Sequence, residues 1–121
     1  YWQLSNQQPR KKKRPMSESY DLFANLLELA PAVPEDSILS RTFYKDERLS
    51  AVLFSFAAGE ELSEHTSTYP AILHFLSGRA RVKLGEDESI VEAGAWARMA
   101  PKLPHTVVAE TPVVMLLLML R

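Results

Sequence analysis

From Ile38 onward the chain is a succession of short runs rich in β-branched, leucine and aromatic residues, each closed by a cluster of turn-forming residues. The runs are Ile38 to Tyr44, Leu49 to Ala57, Ile72 to Leu76, Ala80 to Leu84, Ser89 to Glu92, Trp96 to Met99, His105 to Ala109 and Val113 to Leu120. Between them stand Lys-Asp-Glu, Ala-Ala-Gly-Glu-Glu, Ser-Gly, Gly-Glu-Asp-Glu, Ala-Gly, Ala-Pro-Lys-Leu-Pro and Glu-Thr-Pro. Strands at this spacing, with no helix between them, pair antiparallel as a sandwich or a barrel. A chain of 121 residues is served by one hydrophobic core, and an all-β barrel is the expected architecture.

Alternation assigns the faces. In Arg79 to Leu84, Ala80, Val82 and Leu84 alternate with Arg79, Arg81 and Lys83, so one face is buried and the other wet. Val113 to Leu120 is apolar at both parities and needs cover on both faces. The barrel interior supplies one cover. The other is expected from an N-terminal helix or from a second subunit, and a homodimer is the anticipated assembly. The helix is expected over Ser19 to Ala30, where Leu22, Phe23, Leu26, Leu27, Leu29 and Ala30 follow a three-and-four spacing, with Ser17 or Ser19 as cap and Pro31 and Pro34 as stop. Residues 16–37 are thus helix and linker, and 38–121 the barrel.

Charge is unevenly placed. The formal net charge is −1, yet five of the 14 basic residues are the consecutive Arg10, Lys11, Lys12, Lys13 and Arg14. Residues 16–121 carry nine basic and fifteen acidic side chains, a charge of −6. An acidic body has no general field for nucleic acid or anionic lipid, so neither is an expected partner. Residues 1–15 read as a disordered basic arm, or as a non-native or misassigned extension ahead of a start at Met16. The apolar run Val113 to Leu120 is eight residues long, against about 20 for a membrane-spanning helix, and no apolar leader follows the basic run; a cytoplasmic location is expected. Cysteine is absent, which excludes disulfides, thiolate metal sites and cysteine nucleophiles. No Ser-His-Asp arrangement, phosphate-binding loop or dinucleotide fingerprint is recognisable.

Gly59 to Gly78 resembles the first motif of the cupin superfamily, G-(x)5-H-x-H-(x)3-4-E-(x)6-G, with both glycines and His65 at the motif spacing. Gly94 and His105 match the second motif, G-(x)5-P-x-G-(x)2-H-(x)3-N, with ten residues between them. The resemblance covers about Ile38 to Leu120. It implies an antiparallel double-stranded β-helix, the jelly-roll barrel, enclosing a pocket. It also implies a four-ligand divalent metal site: two histidines and a glutamate from the first motif, one histidine from the second. Here His65 and His105 match the first and last ligands, while Ser67 stands at the second histidine and Ala71 at the glutamate. Ala100, Lys102 and Ala109 replace the proline, second glycine and asparagine of the second motif. His74 is a further candidate ligand, although alternation points it away from the face of Ala71, Leu73 and Phe75.

The candidate metal ligands are therefore His65 and His105, with His74 as a third. The candidate pocket residues are Ser67, Ala71, Leu73, Phe75, Trp96 and Met99. The cofactor implied by the resemblance is one divalent metal (nickel, zinc, manganese or iron), or none. The expected function is a small barrel binding a small organic molecule. The alternatives are a metal-dependent oxygenase, isomerase or decarboxylase, and a non-catalytic ligand sensor.

Overall fold

A computed structural model describes residues 19–121; the basic arm and the Met16 start lie outside the described residues. Among the described residues nine strands follow one another: β1 (Ile38–Lys45), β2 (Leu49–Phe56), β3 (Glu61–His65), β4 (Ala71–Ser77), β5 (Arg79–Leu84), β6 (Asp87–Glu92), β7 (Trp96–Met99), β8 (His105–Ala109) and β9 (Val113–Leu120). They form two antiparallel sheets, of order β1-β2-β9-β4-β7 and β3-β8-β5-β6. This is the all-β jelly-roll barrel implied by the resemblance. Strand β3 has no counterpart among the apolar runs. Its sequence Glu-Leu-Ser-Glu-His is largely exposed, so it carries no hydrophobic alternation; it is held by pairing with β8.

The barrel interior is filled from both sheets by Phe56, Ala71, Leu73, Phe75, Ala80, Val82, Met99, Val107, Ala109, Val113 and Met115. The alternation of β5 is realised: Ala80 and Val82 are buried. On its outer side Arg79 pairs with Glu92 and Glu110, and Arg81 with Glu88 and Glu110. These exposed pairs dress a wet face and contribute little net stability.

The N-terminal helix is a correction. Among the described residues, the segment forms only a 3-10 turn at Leu26–Leu29, capped by the Asn25 side chain, which accepts from the Leu27 backbone N–H. Phe23, Leu26 and Leu29 pack on Ala51, Leu53 and Leu116 at the outer face of the five-stranded sheet, whereas Leu22 and Leu27 are exposed. Within the turn, Leu26 and Leu29 are three residues apart and so share one side of a helix of three residues per turn, while Phe23 precedes it. Pro31 then holds Ala30 extended, with ψ 134°. The segment still covers the outer parity of β9, meeting within one chain part of the demand that Val113 to Leu120 creates.

Candidate functional site

His65 ends β3 and His105 opens β8, and the two are register partners across the antiparallel pair. Their ring centroids are 4.1 Å apart, with planes inclined by 59°. Each ring is anchored through Nδ1 to a backbone carbonyl two residues back: Ser63 O for His65 at 2.7 Å and Leu103 O for His105 at 2.9 Å. His65 is exposed, whereas His105 is only 6% exposed. The pair thus grades from the solvent edge of the barrel into its wall.

Behind the rings lies a cavity of about 30 Å³, lined by Phe54, Leu62, His65, Leu73, His105, Val107, Met115 and Leu117. That volume admits about one or two waters, or the polar tip of a larger molecule. Phe54, Leu62, Val107, Met115 and Leu117 were not among the sequence candidates. Leu62 lies on the strand without alternation; the other four are inward positions of β2, β8 and β9 that strand parity alone could have nominated.

The remaining candidates separate. Leu73 lines the cavity. Ala71, Phe75 and Met99 are buried in the main core rather than at the cavity wall. Ser67 directs its hydroxyl at its own turn, where Oγ accepts from the Tyr69 N–H at 3.1 Å. Trp96 is a correction: it is 59% exposed, because it pairs with His74 at the outer parity of β4 and β7. His74 is likewise on the outer face, between Leu116 and Trp96. The irregularity that could have turned it inward falls after it, between Phe75 and Ser77.

The loop before His105 departs from the second motif in its residues, yet turns left-handed where the motif has glycine. Lys102, at the glycine position, has φ 68°, and its N–H donates to Ser67 O at 2.6 Å, tying the two motif loops together. A side chain in this left-handed region is strained by about 1–2 kcal/mol, partly offset by the greater chain entropy of glycine. Lys102→Gly is therefore expected to raise stability by about 1 kcal/mol or less, read as a higher urea midpoint. A lower midpoint would contradict the strain.

Burial lowers the pKa of His105 from its usual value; the Leu103 carbonyl opposes the shift, and proximity to His65 adds to it. A base depressed in the folded state contributes full stability above its unfolded value of about 6.5, and that contribution falls as pH drops from there through the folded value. The urea midpoint should decline on acidification through this window, and the decline should be shallower in His105→Asn. An identical slope in both proteins would acquit His105.

The donor set does not suit a resident metal. Among the described residues no group of three or more His, Asp or Glu side chains is arranged to hold an ion. Two neutral imidazoles against Leu62, Leu73 and Leu117 leave a divalent charge without a carboxylate, and the other side-chain donor in the wall is the Met115 thioether, a soft ligand that adds no compensating charge. A larger open groove of about 530 Å³, lined by Val33, Glu35, Asp36, Ala57, Ala58 and Pro112, holds no imidazole. Among the described residues no helix is long and apolar enough to cross a membrane.

Comparison with known proteins follows the same lines. No curated protein matches the chain. Among solved structures, a conserved protein of unknown function from Streptococcus pyogenes shares 26% identity, with 86% of this chain and 90% of that one covered and a TM-score of 0.74. A cupin superfamily protein from Desulfitobacterium hafniense shares 23%, covering 92% and 97%, also at a TM-score of 0.74. The salicylate 1,2-dioxygenase of Pseudoaminobacter salicylatoxidans shares 14%, covering 74% of this chain and 26% of that one, at a TM-score of 0.66. The family model for the cupin domain matches residues 52–120, more than half of the chain. With its two antiparallel sheets, its motif glycines at positive φ and this match across the strands that carry the histidines, the chain belongs to the cupin family.

Proposed function

We propose that this small cupin barrel binds a small organic molecule at the His65–His105 end, as a binding or sensing module. The observation that carries the reading is the contact between an exposed and a buried imidazole above an apolar cavity. A few polar atoms in an apolar recess orient a ligand, while the walls supply burial. The cavity takes only the ligand's polar tip, so the body of the molecule rests at the exposed His65 side. Two imidazoles without a carboxylate favour this reading over metal-dependent oxygenation, isomerisation or decarboxylation.

A mixed set of small alcohols, carboxylic acids and aromatic fragments, screened by amide NMR on the full chain, tests it. Shifts are expected at Leu62, His65, Leu73, His105 and Val107. Fragments that move only the groove of Val33, Ala57 and Pro112 would place binding elsewhere and sink the reading.

The same proposal includes a homodimer. Beyond the N-terminal segment, the outer face of the five-stranded sheet presents Trp96, His74 and Ile72 in neighbouring strands. Exposed Arg98, the register partner of Ile72, shares this face, and no acidic side chain stands among these four, so the patch lacks the negative charge of the rest of the body. Light scattering should give twice the chain mass, and Trp96→Glu should give the monomer. A monomeric wild-type protein would remove the dimer.

A further inference from the structure

The backbone sets both imidazoles in the same tautomer. A carbonyl oxygen only accepts, so Nδ1 of His65 donates to Ser63 O and Nδ1 of His105 donates to Leu103 O. In the neutral rings each Nε2 then keeps a bare lone pair. No hydrogen bond within the described residues reaches either Nε2, and neither is a buried unpartnered atom, so water serves both until a ligand displaces it. The other cavity walls are Phe54, Leu62, Leu73, Val107, Met115 and Leu117, which offer no N–H or O–H side-chain donor.

Two acceptors on rings 4.1 Å apart, with no side-chain donor in the cavity wall, define what a ligand that displaces water must supply. A divalent metal would supply positive charge but finds, beyond the imidazoles, the soft Met115 thioether and no compensating carboxylate. An ionised carboxylate brings only more lone pairs. An ammonium group would carry a full charge into apolar walls. A neutral hydroxyl brings a single donor proton, and its oxygen fits a cavity of about 30 Å³.

We infer that the His65–His105 pair is a metal-independent receptor for a neutral hydroxyl compound, an alcohol or a phenol, whose O–H donates to a bare Nε2. This rests on the reading of the barrel as a small-molecule site and names its ligand class. The exposed ring of His65 lies at the entrance and the buried ring of His105 at the inner wall. A site built to receive a hydroxyl proton rejects an analogue that lacks it, because the acceptor is then left unpaired.

The test uses the full chain with ¹⁵N-labelled histidine, at a pH above the histidine titration range, and phenol and its methyl ether anisole as probes. Without ligand, both rings should show protonated Nδ1 and bare Nε2; the opposite tautomer at His105 would overturn the inference with no variant needed. Phenol should shift the Nε2 resonance of His105 saturably, with anisole at least about tenfold weaker. Equal binding of the two at the cavity residues would overturn the hydroxyl inference while leaving the binding reading in place. Binding of neither probe at those residues would overturn the hydroxyl inference, and the binding reading would then fall only if the mixed fragment set also left those residues unmoved. Zinc added alone should compete with phenol only in large excess; stoichiometric zinc binding that moves both Nε2 resonances would overturn metal independence. In His105→Phe, the phenol response at Leu62 and Val107 should fall to the level of anisole.

Discussion

Gly78→Ala is expected to destabilise the protein by about 3–5 kcal/mol, at the upper end of what single substitutions do. Gly78 joins β4 to β5, where the chain leaves one sheet for the other, and its φ is 89°. A Cβ there would overlap the Pro112 carbonyl oxygen and come within 2.9 Å of Val113 Cα and Cγ2. The obstructing atoms are mostly backbone, and that backbone is held. Arg79 N–H donates to Thr111 Oγ1 at 2.9 Å, and the N–H groups of Glu110 and Thr111 both donate to Arg79 O. Gly94→Ala is the control. Its φ is 98°, but a Cβ meets nothing within 4 Å, so only the dihedral strain of about 1–3 kcal/mol is at stake. Urea denaturation of both variants measures the difference; equal losses would refute the close approach at Pro112.

Phe56→Ala is expected to cost about 3–5 kcal/mol, because Phe56 has no exposed surface and sits in the close-packed barrel interior. Its ring lies 6.3 Å from that of Phe54, and neighbouring strands cannot close the void without moving the ladder. Leu29→Ala removes a side chain that is 5% exposed but belongs to the cluster on the other face of the five-stranded sheet. There the N-terminal segment can partly collapse, so the expected loss is about 2 kcal/mol, near the lower end of the leucine-to-alanine range. The two clusters are separate, and the double variant should lose the sum to within about 0.5 kcal/mol. No loss from Leu29→Ala would detach the N-terminal segment from the folded unit.

Much of the barrel was legible because its strands bury one face. Ala80 and Val82, or Ala71, Leu73 and Phe75, alternate with less buried neighbours, and that period survives any detail of packing. Strand β3 was illegible for the converse reason: its side chains are largely exposed, and only its pairing with β8 makes it a strand. The N-terminal turn was misread because Phe23, Leu26 and Leu29 satisfy three-residue and α-helical spacing alike. Trp96 was misplaced because its position after the Gly94 turn does not reveal which parity faces inward. The pairing with His74 decides that.

By itself the sequence determined the fold class, the places where glycine allows the chain to turn, and the chemistry of the ligand positions. Ser67 and Ala71 stand where a histidine and a carboxylate would hold a metal, and no folding can restore donors that the residues lack. Only the tertiary structure decided that His65 and His105 meet, that both turn Nδ1 to a carbonyl, that His74 faces outward, and that the space between the walls is small. These depend on register and bulges between strands distant in the chain. Each one-residue slip reverses the face that a side chain occupies, so no local pattern can settle them.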